Sequence, residues 1–215
     1  VVPALNLTGG LRVIAIYANL LVQNGHQVSI VSPGPIVPNL KERFKSIIRW
    51  KGYKFVSKFN TLFFEKLPFE VKVLNKHRAV TENDVPDADV IIATFWNTAE
   101  WITNFAGNKG KKVYFIQHYE IHPWLPVERV KETLRLPFSK IVVANWIAEI
   151  LRDEYQQELV HVIRNAVDHD LFFSLDRSKN TQTTFGMMYS SRTFKGSQIA
   201  IDCFKKLQEN KPEVK

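Results

Sequence analysis

Short apolar runs alternate with stretches of helical periodicity along most of the chain. The runs are rich in Val and Ile, as expected for parallel strands that are covered on both faces. They are residues 1–5, 27–32, 70–74, 89–94, 112–118, 140–145 and 159–163. Helical patterns occupy residues 11–24, 98–105 and 146–157. This alternation predicts an α/β fold built on a doubly wound parallel sheet.

The first predicted helix, residues 11–24, has few polar positions. Arg12, Asn19 and Gln23 share one narrow stripe at helical spacing, so the pattern predicts a helix that is buried on most sides. Gly25 then predicts its C-terminal end.

The composition changes near residue 174. Residues 174–184 (SLDRSKNTQTT) are polar and are typical of a linker. After them the pattern predicts a strand at 185–189, a loop at 190–196 and an amphipathic helix at 197–208. Its apolar face is Ile199, Ala200, Cys203, Phe204 and Leu207. We therefore predict a first domain at 1–173, a linker at 174–184 and the first unit of a second α/β domain at 185–215.

Composition narrows the class of protein. The 215 residues include 15 Phe, 6 Tyr and 5 Trp, more aromatic surface than a disordered chain carries. The lone cysteine, Cys203, excludes a disulfide scaffold and a zinc site of several thiolates within this chain, and it suits a reducing compartment. No apolar run reaches the roughly 18 residues of a membrane-spanning helix.

The net charge of +8 is concentrated in one segment, because residues 41–78 hold 11 basic and 3 acidic side chains. Their pattern predicts two short amphipathic helices on either side of Gly52, and basic helices with aromatic faces bind anionic membrane surfaces. The membrane-contact candidates are Lys45, Arg49, Lys51, Lys54 and Lys58. Alternatively, the helices pack on the sheet with solvated lysines. No nucleic-acid-binding motif accompanies the charge, so we expect no nucleic-acid partner.

A glycine turn, Gly9-Gly10, follows the first strand and precedes the first helix. A helix N-terminus in this position stabilises an anionic group, although a purely structural glycine pair fits equally well. A dinucleotide site is not indicated, since there is no G-x-G-x-x-G motif and the second strand ends in Ser32.

His118 ends a predicted central strand, at the edge where open α/β sheets bind ligands. A loop histidine bonded to the backbone is the alternative. His122 lies four residues later, but Pro123 disfavours helical geometry there, so we expect no metal site. Trp96, Trp101, Trp124 and Trp146 follow strand ends or begin helices; we predict buried packing for each, and the lining of a pocket by some of them is the alternative.

Three stretches together resemble retaining glycosyltransferases of the GT-B fold, in glycosyltransferase family 4. Residues 6–31 resemble that family's glycine loop, first helix and second strand. Residues 162–172 (VIRNAVDHDLF) resemble its V-I-x-N-G-V-D-x-x-x-F segment, with Ala166 in place of Gly. Residues 189–196 (YSSRTFKG) lie where the family has the Arg and Lys of its G-R-x-x-x-x-K-G loop. Residues 117–120 (QHYE) further resemble members that build rhamnose-containing polysaccharides.

The resemblance implies two Rossmann-like domains and an enzyme that transfers a sugar with retention from a nucleotide-sugar donor to a saccharide or lipid-linked acceptor. No metal or other cofactor is implied. His118 would contact the transferred sugar, and Trp96 and Glu120 are candidates on the acceptor side. The donor-binding candidates are Gly9, Gly10, Arg192 and Lys195.

One departure concerns Arg192 and Lys195, which are three residues apart where the family has five, so Ser190 is an alternative match. The family's paired glutamates and nucleoside pocket lie beyond Lys215, so we expect this chain to be inactive by itself. We expect a cytoplasmic protein, peripheral at the membrane if the basic segment binds there. The alternative function is a non-catalytic α/β module that binds anionic membrane or polymer through residues 41–78.

Overall fold

The computed structural model describes residues 1–36, 59–65, 67–174, 182–191 and 193–215. These residues form an α/β structure, as the sequence predicts. The α-helices in them are α1 Gly9–Gln23, α2 Trp96–Ile102, α3 Val127–Arg135, α4 Asn145–Tyr155 and α5 Ser197–Asn210. The strands in them are β1 Ser29–Ser32, β2 Glu70–Val73, β3 Val90–Ala93, β4 Lys111–Ile116, β5 Ser139–Val142 and β6 Val160–Val162.

The described strands pair in parallel throughout. β1 pairs with β2, and the other four form a sheet in the order β3-β4-β5-β6. Parallel pairing confirms the predicted fold class, because parallel neighbours need crossover connections, and α2, α3 and α4 make those connections between β3 and β4, β4 and β5, and β5 and β6.

The predicted opening strand, residues 1–5, is not a regular strand. The Val2 N–H donates to Val31 O at 3.0 Å, and the backbone nitrogen of Val1 donates to Ile92 O at 2.7 Å. The segment therefore bonds to both β1 and β3, but Pro3 has no N–H with which to continue a ladder.

Two apolar cores lie on opposite faces of the strands. One core contains residues of α1 with Leu5, Ile30 and Phe115, and the other contains residues of α2, α3 and α4 with Tyr114 and Ile116. Because side chains alternate along a strand, β4 contributes to both cores. The result is helices on each face, which is the doubly wound arrangement.

The first helix is less buried than predicted. Leu11, Ile14, Ala15 and Ala18 of α1 are buried, but Ile16, Leu20 and Leu21 are 47%, 45% and 39% exposed. Only one face packs on the sheet, so the prediction of burial on most sides is wrong. Gly25 does end the helix: its φ of +85° lies in the left-handed region, which glycine adopts without strain.

The described chain divides into two compact units, Val1–Ala166 (unit 1) and Val167–Lys215 (unit 2). The domain and linker boundaries predicted from composition stay predictions. In unit 2 the predicted helix is present as α5, but residues 185–189 are not a strand, since residues 182–191 and 193–215 contain no strand to pair with them. The predicted apolar face of α5 is largely exposed, with Ile199 at 69%.

Among the residues that the structure describes, no helix is both long enough and apolar enough to cross a lipid bilayer.

Lys140 is fully buried in β5 and joins two loops at the amino edge of the sheet. Its Nζ donates to Leu136 O at 2.6 Å, to Phe138 O at 3.2 Å and to Gln157 Oε1 at 2.5 Å. Burial lowers the pKa of Lys140 to about 8. Without the ammonium group Phe138 O and Gln157 Oε1 would lose this donor in the protein interior, whereas Leu136 O would keep the N–H of Phe138 at 2.8 Å.

We expect Lys140→Met to lower the free energy of unfolding by about 2–3 kcal/mol, because Phe138 O and Gln157 Oε1 lose the ammonium donor in the protein interior. Urea denaturation followed by far-UV circular dichroism measures the change. Lys111→Met is the matched control, since Lys111 is exposed at the start of β4. Equal effects of the two substitutions would contradict the structural role of Lys140.

Candidate functional site

The carboxyl ends of β3, β4 and β5 meet at one edge of the four-stranded sheet. Their parallel register aligns Ala93 with Tyr114 and Ile116 with Val142. The residues that follow these strands therefore leave the sheet side by side. They include Trp96 after β3, His118 after β4 and Trp146 after β5. This is the edge at which open α/β sheets bind their ligands.

The glycine turn is attached to the loop that carries His118. Gly9 and Gly10 are the first residues of α1, and Gln117 Nε2 donates to Gly10 O at 3.1 Å. A Cβ atom on Gly10 would lie 3.4 Å from Gln117 Nε2, while one on Gly9 would meet nothing within 4 Å. The protein itself therefore leaves room for a side chain at Gly9.

His118 is exposed and belongs to a row of ring side chains. Its imidazole stacks on that of His122, with centroids 5.2 Å apart and planes at 25°, and it also contacts the Trp146 ring edge-on, at 6.2 Å and 75°. His122 in turn stacks on Trp124 at 4.5 Å and 12°. We call these four residues, Trp146, His118, His122 and Trp124, the aromatic row.

The four predicted tryptophans differ in burial. Trp96 is 8% exposed, as predicted, and Trp101 is partly buried against the core, but Trp124 and Trp146 are 60% and 46% exposed. The prediction of buried packing is wrong for these two, because they follow strand ends into loops and a helix start at the open edge of the sheet.

A metal site was considered at His118 and His122, whose rings are stacked face to face. In the residues that the structure describes, no three or more His, Cys, Asp or Glu side chains are grouped as metal ligands would be.

Glu120, in the loop after β4, is hydrogen-bonded to the backbone of Trp96. The backbone N–H of Trp96 donates to the Glu120 carboxyl group, and burial raises the pKa of Glu120 to about 8. Three buried side-chain atoms in the described residues have no hydrogen-bond partner: Trp96 Nε1, Asn97 Oδ1 and Glu120 Oε2. Buried polar atoms are paired in most proteins, so three unpaired atoms on two adjoining segments mark this place as unusual.

The outer face of the Trp96 ring is covered by a cation. The Arg129 guanidinium lies 5.0 Å from the ring centroid and also pairs with Glu100 at 2.6 Å. This contact holds the indole against α3 and fixes the position of Trp96 at the edge of the site.

Two surface cavities of about 280 and 320 Å³ lie elsewhere in unit 1. Both are lined by Lys72 and Asp84, beside β2 and away from His118. The two charged residues that both cavities share already have partners, since Lys72 Nζ donates to Asp84 O and the Asp84 carboxylate accepts from Arg78.

The remaining sequence candidates lie in unit 2 or outside the described residues. Lys195 ends a short 3-10 helix, Thr193–Lys195, just before α5. Arg192 and the membrane-contact candidates Lys45, Arg49, Lys51, Lys54 and Lys58 lie outside the described residues.

Sequence reasoning missed Gln117 and Asn97. The apolar pattern predicts a strand at 112–118 that includes Gln117. In the structure β4 ends at Ile116, so the Gln117 side chain can reach Gly10. A polar residue directly before a candidate histidine is the signal that could have drawn attention to it.

The chain was compared with known proteins. A family model described as Glycosyltransferase Family 4 matches residues 7–171, well over half of the chain. The match includes Gly9, Gly10, Trp96, His118 and Glu120. No curated protein and no solved structure gives a significant match.

We expect Glu120→Gln to raise the free energy of unfolding at pH 8 by about 1–3 kcal/mol and to leave it unchanged at pH 4. The ordinary glutamate pKa is 4.5 and that of folded Glu120 is about 8. As the pH rises between these values, the Glu120 carboxyl group ionises in the unfolded chain but stays protonated in the folded chain. The wild type therefore loses folding stability, whereas the variant with a neutral glutamine does not.

Chemical denaturation at pH 4, 6 and 8 measures this dependence. Glu149→Gln, on the exposed side of α4, is the control and should show a small effect at every pH. A Glu120→Gln difference that is the same at pH 4 and pH 8 would show that the carboxyl group is ionised in the folded protein.

Proposed function

Because the chain belongs to glycosyltransferase family 4, we propose that it serves the transfer of a sugar from a nucleotide-diphosphate donor to a saccharide or lipid-linked acceptor. The transfer retains the configuration at the anomeric carbon and builds a polysaccharide or another glycoconjugate. Membership of the family supports a glycosyltransferase in general; the donor, the acceptor and the stereochemistry are our proposal.

One observation carries this proposal. Gln117 joins the glycine turn at the start of α1 to the loop that presents His118. A ligand that lies against the first turn of α1 is therefore within reach of the His118 ring. This suits a donor whose diphosphate is near the helix N-terminus and whose sugar is near the histidine.

The chemistry needs positive potential where the diphosphate leaves. Negative charge develops on the leaving group as the glycosidic bond breaks, and fixed donors stabilise it without reorganisation. The first turn of α1, at Gly9 and Gly10, supplies backbone N–H groups. Arg192 and Lys195 stay donor-binding candidates, because a guanidinium and an ammonium group suit a diphosphate. With these groups in place, the proposed reaction requires no metal ion or other cofactor.

On the acceptor side we propose Trp96 and Glu120. A saccharide hydroxyl both donates and accepts hydrogen bonds. The unpaired indole N–H of Trp96 and the unpaired Oε2 of Glu120 offer both kinds of partner.

We propose that the protein is cytoplasmic and that its basic segment, residues 41–78, binds the membrane surface when the acceptor is lipid-linked. The charge of that segment supports this location.

We expect His118→Ala to lower the kcat of the full-length gene product about 100-fold and to change its donor Kd less than about threefold, because the ring acts on the reacting sugar rather than on the nucleotide. Sugar-transfer kinetics and donor titration calorimetry measure the two quantities. His161→Ala, at an exposed position of β6, is the matched control. An unchanged kcat would remove His118 from the mechanism.

We expect Gly9→Ala to weaken donor binding by the full-length gene product about tenfold, equal to about 1.4 kcal/mol, without destabilising the fold. The structure has room for the added methyl group, so a loss of binding would come from the ligand that approaches there. Gly107→Ala is the control, since a Cβ atom there also meets nothing within 4 Å and Gly107 lies before β4, at the opposite edge of the sheet. If both variants bind the donor as the wild type does, the donor does not approach Gly9.

A further inference from the structure

Tyr119 directly follows His118 and connects the loop after β4 to the last two residues of α4. Its hydroxyl oxygen lies 2.9 Å from that of Tyr155, and it donates to Glu154 Oε2 at 3.3 Å. The two tyrosine rings also meet edge to face, with centroids 6.4 Å apart. The residue next to the candidate catalytic histidine is therefore joined to a separate helix by both of its polar contacts.

The direction of these hydrogen bonds follows from the protons that the groups possess. A phenol has one proton to donate, and a carboxylate only accepts. Tyr119 therefore donates to Glu154 and accepts the proton of Tyr155. Burial and the hydrogen bond with Tyr155 raise the pKa of Tyr119 above its ordinary value, so the hydroxyl group keeps its proton at neutral pH.

Tyr155 is a rigid anchor because its own surroundings hold it. It is 4% exposed and belongs to the core that contains Tyr114 and Ile116. The Arg135 guanidinium lies 5.4 Å from the centroid of its ring. A close-packed residue of this kind has little freedom to move, so a loop that is bonded to it takes its position from the core.

Two other helices hold the neighbouring residues of the loop. Gln117 donates to the first turn of α1, and the Glu120 carboxyl group accepts the backbone N–H of Trp96, the first residue of α2. In this stretch of four residues His118 alone is exposed. The backbone on both sides of the exposed ring is thus bonded to three helices, and a ring that acts on a reacting sugar needs such a fixed position.

We propose that Tyr119 is a positioning residue, whose hydrogen bonds with Tyr155 and Glu154 hold the loop so that the His118 ring keeps its place at the candidate site. This inference rests on the proposed function, because Tyr119 would serve the transfer only through His118. A displacement of a catalytic group by about 1 Å is enough to reduce turnover strongly.

The position of the ring is tested first in the 215-residue chain, without any ligand. The proton–carbon NMR signal of the His118 imidazole is assigned by its loss in His118→Ala, and it reports the surroundings of the ring. We expect Tyr119→Phe to shift this signal and to leave that of His26 unchanged. The double variant Glu154→Ala/Tyr155→Phe removes both partners and keeps residue 119 intact, so it should shift the His118 signal in the same way.

Tyr17→Phe is the matched control, because it also removes a tyrosine hydroxyl group that makes a hydrogen bond in unit 1, to Arg164 O at 3.4 Å. Thermal unfolding of each variant shows that the fold is intact. The proposal is overturned if Tyr119→Phe leaves the His118 signal in place, if the double variant does not reproduce the shift, or if Tyr17→Phe shifts the signal as much.

Kinetics of the full-length gene product test the consequence for turnover. We expect Tyr119→Phe to lower kcat about tenfold and to change the donor Kd less than about twofold. Adding the double variant to Tyr119→Phe should lower kcat no further, because the three side chains act through one set of hydrogen bonds. Tyr17→Phe should keep the wild-type kcat.

The two experiments separate this inference from the proposed function. Absence of sugar transfer by the wild type together with the expected shifts of the His118 signal would refute the proposed function and leave Tyr119 as the residue that positions the ring. Transfer by the wild type with the same kcat in Tyr119→Phe would refute the positioning role and leave the proposed function.

Discussion

Parallel pairing of β4 with β3 on one side and β5 on the other is the constraint on which the candidate site depends. A strand with neighbours on both edges alternates its side chains between two cores, so Phe115 faces the α1 side while Tyr114 and Ile116 face the other helices. Because β3, β4 and β5 run parallel, the segments that follow them all leave the sheet at its carboxyl edge. Trp96, His118 and Trp146 are far apart in sequence and come together for this reason alone.

The two edges of the sheet differ in whether their buried polar groups have hydrogen-bond partners. At the amino edge, Lys140 donates to three acceptors and is fully paired. At the carboxyl edge, Trp96 Nε1, Asn97 Oδ1 and Glu120 Oε2 are buried without partners. Complete pairing stabilises the fold, whereas unpaired buried groups cost free energy. This contrast supports a structural role for the amino edge and favours the carboxyl edge as the place where a ligand binds.

The sequence predicted the fold well because apolar periodicity reports burial directly. It located β1 to β6, α1, α2, α4 and α5 within a few residues, although it did not name α3. The sequence pattern failed where the outcome depends on packing partners. Residues 185–189 are apolar, but the described residues of unit 2 contain no strand to pair with them. The helix α1 is apolar on faces that the other described residues leave exposed. For the site, it placed His118 at the sheet edge, but it could not reveal the contact between Gln117 and Gly10 across 107 positions. The exposure of Trp124 and Trp146 was hidden too, because composition does not distinguish a buried ring from an exposed one.

The hydrogen bond from Gln117 to Gly10 has an evolutionary consequence. The donor is a side chain and the acceptor is a backbone carbonyl, so substitution at position 10 leaves the acceptor in place, while substitution at 117 removes the donor. A side chain larger than alanine at position 10 would also press on the Gln117 amide. Positions 10 and 117 should therefore vary together among related chains: a lineage that loses the amide at 117 is released from the need for a small residue at 10, and drift at either position is constrained by the other.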